Sequence, residues 1–216
     1  NHIVTLGITP TEPATGYGYI KRNSTQVGNG FEVDKFVEKP NFETAKKYLA
    51  EGTYFWNAGI FVFQVKTFYE ELAKYAKSIY ETTLNIKKLQ NVSLSDYEKY
   101  ENISIDYAVM EHSDKIAVIE ANIGWNDIGS FKSLYEVLPK NQDNNVCKGN
   151  TNKILTINSK NNYIYSNKQI VTLGVQNLVI ADTDDALLIS SMECSEQIKS
   201  ATNILKEQNP NVINKF

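Results

Sequence analysis

Four short motifs combine glycine, carboxylate and amide residues that could bind hydroxyl groups, a phosphate or a metal ion. The first, Glu38-Lys39-Pro40, directly follows a β-rich run that predicts a strand over residues 31–37. A carboxylate there can accept two sugar hydroxyls, and the neighbouring lysine offers a mobile charge that suits a phosphate. Pro40 favours an extended conformation at Lys39. The alternative interpretation is a solvated charged turn before a helix.

The second motif is glycine-rich and precedes a predicted strand. Residues 15–19 read Thr-Gly-Tyr-Gly-Tyr, so Gly16 and Gly18 flank Tyr17. Glycines in this arrangement let the backbone approach a ligand closely, because no Cβ blocks its N–H and C=O groups. The alternative is a tight turn that leads into an aromatic strand.

The third motif, at residues 56–59, places Asn57 between Trp56 and the small residues that end at Gly59. An asparagine amide both donates and accepts hydrogen bonds, which suits recognition of a hydroxyl. An exposed asparagine without a role is the alternative interpretation.

The fourth motif contains a single carboxylate, Asp127, in residues 124–130, between a predicted strand and a predicted helix. Asp127 could cap that helix. It could instead be one ligand of Mg²⁺, which takes only one or two carboxylates and completes its shell with phosphate oxygens and water.

The elements that must position these motifs alternate between strands and helices over residues 1–140. Gly28-Asn29-Gly30 predicts a hairpin, and Asn41 and Gly52 are predicted to cap the two ends of a helix. Residues 59–65 are nearly all apolar, as in a strand covered on both faces. The remaining segments are strands at residues 2–8, 17–21, 31–37 and 116–119 and helices at residues 67–89, 104–110 and 129–138.

Residues 141–216 have a different pattern, with short strands separated by Asn, Gly and Asp turns. Such spacing predicts a small all-β unit or a few coils of a β-helix. The predicted strands are residues 154–157, 163–165, 170–173, 178–180 and 186–189, and a closing helix follows at residues 191–205. The sequence therefore predicts an α/β domain followed by a β-helix-like region.

Composition excludes several classes of function. The net charge of the 216 residues is −3 and no Lys/Arg block stands out, which argues against a nucleic-acid partner. No apolar run is long enough to span a membrane. Cys147 and Cys194 lack metal-ligand or redox spacing, so free thiols and a cytoplasmic location are expected.

Together, the order and content of the motifs resemble bacterial mannose-1-phosphate guanylyltransferases, a family of sugar nucleotidyltransferases. The resemblance covers nearly the whole chain. It is carried by residues 7–10, 15–20, 36–40, 56–61, 104–111, 124–129 and 169–189. It implies a Rossmann-like α/β fold with a C-terminal β-helical portion, and an enzyme that makes GDP-mannose and pyrophosphate from GTP and mannose 1-phosphate with Mg²⁺.

The resemblance also implies roles for the motifs. The backbone of Gly18, with its neighbours Gly16 and Tyr17, would line the sugar pocket. Because the chemistry is in-line attack of the sugar phosphate on the α-phosphorus, catalysis is mostly positioning and charge neutralisation. No residue has to act as a covalent nucleophile.

Glu38 and Asn57, with Gly59 beside them, would bind the sugar hydroxyls. Lys39 would face the phosphate, and Asp127 would be one of two aspartates on the metal. Residues 104–111 also recur in the family. We interpret them as mostly structural, with Ser104 as a helix cap and Ile105 and Val109 packed inward.

The family's Gly-rich triphosphate-binding signature and its first metal aspartate are absent from this sequence. The chain also begins without Met, within a predicted strand. We therefore expect an incomplete nucleotidyltransferase domain that supplies the sugar-phosphate side and is inactive alone.

Three alternatives stay open. The substrate pair could be glucose 1-phosphate with UTP or dTTP. The chain could be a non-catalytic binding or assembly homologue. The β-helical part could drive oligomerisation, for instance into a homodimer, and this role could coexist with catalysis.

Overall fold

Two units make up the chain in the computed structural model, which describes residues 1–86 and 92–208. They are Asn1–Trp125 and Asn126–Phe216, and each is described by itself. This division lies before the boundary predicted at residue 140. The difference arises because a helix at Phe131–Val137 packs its apolar side chains on the core of the second unit.

Five strands of the first unit close into a barrel in the order β1-β4-β2-β3-β5. They are β1 (Ile3–Ile8), β2 (Tyr19–Val27), β3 (Gly30–Val37), β4 (Tyr54–Val62) and β5 (Ile116–Ala121). Neighbouring strands are antiparallel except β1 and β5, which are parallel. Phe31 and Glu32 of β3 pair with β5 and so close the sheet.

The hairpin predicted at Gly28-Asn29-Gly30 is confirmed, because Val27 of β2 lies opposite Gly30 of β3. The strand predicted at residues 59–65 is partly wrong. Strand β4 begins earlier and its buried part is Tyr54–Ala58, whereas Gly59 and Val62 are exposed. The aromatic residues before the apolar run are the ones that the barrel covers.

Helix α1 (Phe42–Glu51) is bounded as its sequence predicts. The Asn41 side chain accepts a hydrogen bond of 2.9 Å from the N–H of Thr44. Gly52 ends the helix in the left-handed region, at φ 71°. Both ends are therefore capped by residues of the expected types.

The single helix predicted over residues 67–89 is wrong. The chain forms α2 (Val65–Tyr75) and α3 (Lys77–Asn85), which are separated by Ala76 at φ −131° and ψ 56°. Apolar residues of both helices pack on the same core, so the periodicity gave no sign of the break. Residues 87–89 lie outside the described part of the chain.

A short helix, α4 (Leu94–Tyr97), and a π-helix at Asp106–Met110 complete the first unit. The π-helix buries Ala108, Val109 and Met110 in the main core. Across the described residues, we find no helix with the length and apolar character needed to cross a bilayer.

One charged side chain lies deep in the first unit. Glu71 of α2 is 1 % exposed, and its carboxylate accepts a hydrogen bond of 2.7 Å from Ser113 Oγ. Lys115 Nζ lies 3.1 Å from Glu71 Oε1. This lysine compensates a carboxylate that burial would otherwise make costly.

Replacing Lys115 by methionine should lower the free energy of unfolding. The change leaves the buried Glu71 carboxylate without its cation, although the hydrogen bond from Ser113 remains. Partial exposure of the lysine reduces the loss below that of a fully buried pair. Urea unfolding of both proteins would measure it. The control is Lys74→Met, which breaks an exposed pair with Asp114 and should lower the free energy of unfolding much less. Equal losses would contradict the prediction.

The second unit consists of stacked parallel coils, as the sequence predicts, followed by one antiparallel strand. Strands β6, β8 and β10 pair in parallel in one sheet, β7 and β9 pair in parallel in another, and β11 is antiparallel to β10. They are β6 (Val146–Gly149), β7 (Ile154–Ile157), β8 (Tyr163–Ser166), β9 (Ile170–Leu173), β10 (Leu178–Asp182) and β11 (Leu187–Ser191). Strand β6 was not predicted.

Helices flank these coils. Helix α5 (Phe131–Val137) precedes them, within the segment predicted at residues 129–138. The helix predicted at residues 191–205 is a 3₁₀ turn at Met192–Gln197, followed by α6 (Ile198–Gln208).

Buried asparagines connect successive coils. Asn145 Oδ1 accepts hydrogen bonds of 3.0 Å from both the backbone N–H and Nδ2 of Asn162. Asn162 in turn donates to the Val175 carbonyl at 3.2 Å and accepts from the Leu178 N–H at 2.9 Å. Both side chains are buried, and each asparagine satisfies a backbone group of the next coil.

Candidate active site

Asn57 is held by hydrogen bonds from several parts of the first unit. Its backbone N–H donates to the Gly18 carbonyl at 2.8 Å. Its Oδ1 accepts from Thr5 Oγ1 and from the Gly59 N–H, each at 3.1 Å, and its Nδ2 donates to Asp106 Oδ1 at 3.1 Å. These bonds fix which way the amide points. Within the described residues, they leave one Nδ2 hydrogen to donate to a ligand.

An irregularity in β4 gives Asn57 this environment. Thr5 of β1 lies opposite Phe61, but Gly7, two residues later, lies opposite Asn57. Strand β4 therefore carries extra residues there, as in a β-bulge. Within them, Gly59 has φ 69°, a conformation that a side chain would strain. The predicted residue Gly59 thus turns its N–H towards Asn57 Oδ1.

Glu38 lies next to Asn57 on the other side of Gly18. A Cβ built on Gly18 would collide with Glu38 Oε2 and would lie 3.3 Å from Asn57 Cβ. The N–H of Glu38 donates to Glu111 Oε1 at 2.8 Å, and its side chain is 12 % exposed. The predicted residues Gly18, Glu38 and Asn57 therefore come together, with the glycine making room for the other two.

Electrostatics favour the protonated form of Glu38 more than for an ordinary glutamate. Burial is the largest cause that raises its pKa, and the negative charges of Asp106 and Glu111 raise it further. Lys39, with Nζ 3.4 Å from Glu38 Oε1, opposes the rise in pKa. Glu38 is therefore a carboxyl group whose charge responds to its neighbours.

Lys39 is not extended, contrary to expectation. It has φ 46°, in the left-handed region, immediately before Pro40. The chain must turn sharply here, since the N–H of Glu38 is bonded to Glu111 and helix α1 starts directly after its cap, Asn41. A left-handed lysine costs of order 1–3 kcal/mol, and such strain is concentrated at functional sites. Its side chain is 58 % exposed beside Glu38.

The two other predicted site residues of the glycine-rich motif, Gly16 and Tyr17, have different environments. The Tyr17 ring packs edge-on against Trp56 at 5.0 Å and against Trp125 at 5.4 Å. Gly16 is exposed, and a Cβ there would meet no atom within 4 Å. Gly18 is the residue of this motif that lies against Glu38 and Asn57.

Asp106, in the π-helix, and Glu111, directly after it, also belong to this cluster, although no sequence motif indicated them as site residues. The interpretation of residues 104–111 as mostly structural is therefore incomplete. Val109 is fully buried and Ile105 packs on the core as expected, but Ser104 Oγ makes only a long contact of 3.5 Å with the N–H of Tyr107. The available signal was a pair of carboxylates in an otherwise apolar segment, and π-helices often mark functional sites.

Asp127 lies in the second unit and does not cap the helix that follows it. The N-cap of α5 is Ser130, whose Oγ accepts from the Ser133 N–H at 3.1 Å. Asp127 Oδ1 instead accepts a long hydrogen bond of 3.4 Å from Ser133 Oγ. Asn126 Oδ1 accepts from the Ile128 N–H at 2.8 Å, and Ile128 has φ 52°. For a β-branched residue this backbone conformation is a genuine outlier, so the loop around Asp127 is strained.

Residues 1–144 match the family model described as nucleotidyl transferase, and the chain belongs to that family. Residues 152–205 match a second model, the MannoseP isomerase/GMP-like β-helix domain. The chain thus combines a nucleotidyltransferase domain with a β-helical one.

Its relatives include mannose-1-phosphate guanylyltransferases. The chain is 41 % identical to the one from Salmonella muenchen over 97 % of this chain and 45 % of the relative. It is 37 % identical to the one from Escherichia coli (strain K12), over 94 % of this chain and 45 % of the relative. The chain therefore spans about half the length of the curated relatives that it matches.

A solved structure is also similar. It is described as mannose-1-phosphate geranyltransferase from Thermus thermophilus, and it aligns with a TM-score of 0.83 at 30 % identity. The alignment covers 94 % of this chain and 60 % of that structure. Both units of the chain therefore have counterparts of known structure.

Proposed function

We propose that this chain supplies the sugar-phosphate side of a mannose-1-phosphate guanylyltransferase. That enzyme transfers GMP from GTP to mannose 1-phosphate and yields GDP-mannose and pyrophosphate. The observation that carries the proposal is the packing of Gly18 against Glu38 and Asn57. In this proposal, the first unit is the C-terminal half of a Rossmann-like nucleotidyltransferase domain.

The cluster offers complementary groups to a sugar phosphate. Glu38 can accept hydrogen bonds from hydroxyl groups, and Asn57 has one N–H to donate. The absence of a Cβ at Gly18 lets the backbone approach the sugar. Lys39, largely exposed beside Glu38, provides a positive charge for the phosphate.

The proposed reaction needs positioning rather than a covalent nucleophile. A phosphate oxygen of the sugar attacks the α-phosphorus of GTP, a new P–O bond forms, and the bond to the pyrophosphate leaving group breaks. Holding the sugar phosphate in line for this attack supplies much of the rate enhancement. The strained backbone at Lys39 is consistent with a residue held in place for this purpose.

We propose Mg²⁺ as the cofactor, with Asp127 as its ligand from this chain. In the described part of the chain, no group of three or more His, Cys, Asp or Glu residues is arranged to hold a metal. A single carboxylate fits Mg²⁺, because this ion binds through one or two carboxylates together with substrate phosphates. Bound there, the ion would neutralise charge on the reacting phosphates.

The structure of the Asp127 loop supports this assignment. A Cβ at Gly129 would collide with Asp127 Oδ2, so the glycine leaves room for the carboxylate. The turn closed by Asn126 and the strained Ile128 then fix the loop on both sides of Asp127. A loop that costs energy to form around one carboxylate is more consistent with function than with simple chain connection.

To test the proposal, the protein is expressed from the complete reading frame that encodes this chain, and its release of pyrophosphate is measured. The assay contains Mg²⁺ and compares GTP, UTP and dTTP with mannose 1-phosphate and glucose 1-phosphate. We expect release with GTP and mannose 1-phosphate. Release only with glucose 1-phosphate and UTP or dTTP would instead identify another sugar nucleotidyltransferase. No release with any pair would favour a non-catalytic homologue.

Replacing Gly18 by alanine should weaken mannose 1-phosphate binding about tenfold or more. The new Cβ displaces Glu38, and one charge-assisted hydrogen bond contributes roughly 1.5–3 kcal/mol. Calorimetric titration would measure the loss. The matched change Gly16→Ala, where a Cβ meets nothing within 4 Å, should have a much smaller effect. Equal affinities for the two variants would contradict the role of Gly18.

Two further parts of the proposal concern the surroundings of the enzyme. We propose a cytoplasmic location, which is consistent with the unpaired Cys147 and Cys194. A homodimer also belongs to the proposal, and light scattering of the purified protein would test it.

A further inference from the structure

We infer that Asp106 is a positioning residue of this site, which fixes the orientation of the Asn57 amide and places a negative charge beside Glu38. The inference rests on the proposed function for its sugar-phosphate ligand. Asp106 belongs to the π-helix, 49 residues away from Asn57 along the chain. Neither the sequence motifs nor the comparisons give it a role.

The hydrogen bonds around Asn57 permit one orientation of its amide. If the amide were flipped, its NH₂ group would face the Gly59 N–H, and two donors would oppose each other. Its oxygen would also face the Asp106 carboxylate, which only accepts. Asp106 therefore holds the NH₂ end in place from one side, while Gly59 and Thr5 hold the oxygen end from the other. The remaining N–H of Asn57 is then presented as a fixed donor.

Asp106 also affects the charge of Glu38. The charged groups that face Glu38 are Asp106, Glu111 and Lys39, and after burial Asp106 is the largest cause of its raised pKa. The carboxylate form, which accepts hydroxyl groups, is lost as pH falls through this raised pKa. Removing the charge of Asp106 lowers the pKa of Glu38, so the carboxylate then persists to lower pH.

Two variants separate these effects. Asp106→Asn keeps an oxygen that can accept from Asn57 and removes the charge, whereas Asp106→Ala removes both. In calorimetric titrations with mannose 1-phosphate, we expect Asp106→Asn to retain affinity within about threefold at neutral pH. The acidic limit of binding should move to lower pH in this variant. Asp106→Ala should bind about tenfold more weakly even at neutral pH, because the Asn57 donor is no longer held.

A ligand-free measurement tests the same inference independently of the proposed function. In NMR titrations of the intact chain, Asp106→Asn should lower the pKa of the Glu38 carboxyl, and Asp106→Ala should shift the side-chain amide signals of Asn57. The control, Asp114→Asn, makes the same charge change at a side chain that is 77 % exposed and paired with Lys74. This control should change neither signal.

The outcomes distinguish the two claims. If the Glu38 titration and the Asn57 signals are the same in both Asp106 variants as in the unaltered chain, the inference is wrong. If these signals change but mannose 1-phosphate does not bind the unaltered protein, the positioning role stands and the proposed ligand is wrong. Thermal melting of each variant shows whether it is folded, and the nearly isosteric Asp106→Asn supplies the test if Asp106→Ala is not.

Discussion

Replacing Asp127 by alanine is expected to lower the rate of pyrophosphate release by about a hundredfold or more. Removing a single group that stabilises transition-state charge typically has an effect of this order. The fold should persist, because Ser130 and not Asp127 caps helix α5. The change would be measured as a steady-state rate at saturating GTP and mannose 1-phosphate, with the protein expressed from the complete reading frame.

A matched variant separates this effect from a general change of charge. Asp143 is exposed in the same unit, and Asp143→Ala should leave the rate within about twofold. Ser133→Ala removes the long hydrogen bond to Asp127 and the contact of 3.1 Å with Ser130 Oγ but keeps the Asp127 carboxylate, so its effect should be intermediate. A rate for Asp127→Ala within a few-fold of the unaltered enzyme would remove Asp127 from the proposed metal site.

The second large effect concerns stability. Asn162→Ala should lower the free energy of unfolding of the second unit by about 1–3 kcal/mol. It leaves the buried Leu178 N–H without its acceptor, and one buried polar group left unsatisfied costs about 1–3 kcal/mol. The Val175 carbonyl and Asn145 Oδ1 each lose one hydrogen bond but keep a backbone donor, from Lys160 and Asn162 respectively. Urea unfolding followed by circular dichroism would measure the loss.

The control for this change is another asparagine in the same unit. Asn167 is exposed, so Asn167→Ala should alter the free energy of unfolding by no more than about 0.5 kcal/mol. If Asn162→Ala proves equally mild, buried water must reach the coil interior and replace the lost partner. The connection of the coils through buried asparagines would then carry less of the stability than we infer.

Features that depend on neighbouring residues alone were predictable from the sequence. The hairpin at Gly28-Asn29-Gly30 and the caps of α1 follow from local backbone preferences. The short strands of the second unit follow from apolar runs between turn residues. In each case the residues of the segment and its immediate neighbours are enough to predict the structure.

Features that depend on distant contacts were not predictable in this way. The Asn57 amide is oriented by Thr5 and Asp106, which are 52 and 49 residues away in sequence. Glu38 is bonded to Glu111 across 73 residues, and this contact helps to force the left-handed turn at Lys39. Closure of the barrel likewise requires β3 to meet β5 across the intervening helices.

The site shows the same division between local and distant information. Residue types indicated that Glu38 and Asn57 could bind hydroxyl groups, since their chemistry is visible in the sequence. Their packing against Gly18 and the contribution of Asp106 depend on how the barrel and the π-helix meet. The sequence motifs therefore identified the residues that could bind the ligand, whereas the fold identified the residues that hold them in position.

The parallel register of the second unit has a consequence for how its length can change. Val146, Tyr163 and Val179 lie side by side on successive strands, and all three point into the same core. Gaining or losing one whole turn of the coil would preserve this alignment, as in other solenoids. An insertion of one residue within a strand would instead turn its inward side chains towards solvent. Natural variation in this domain should therefore come in increments of complete coils.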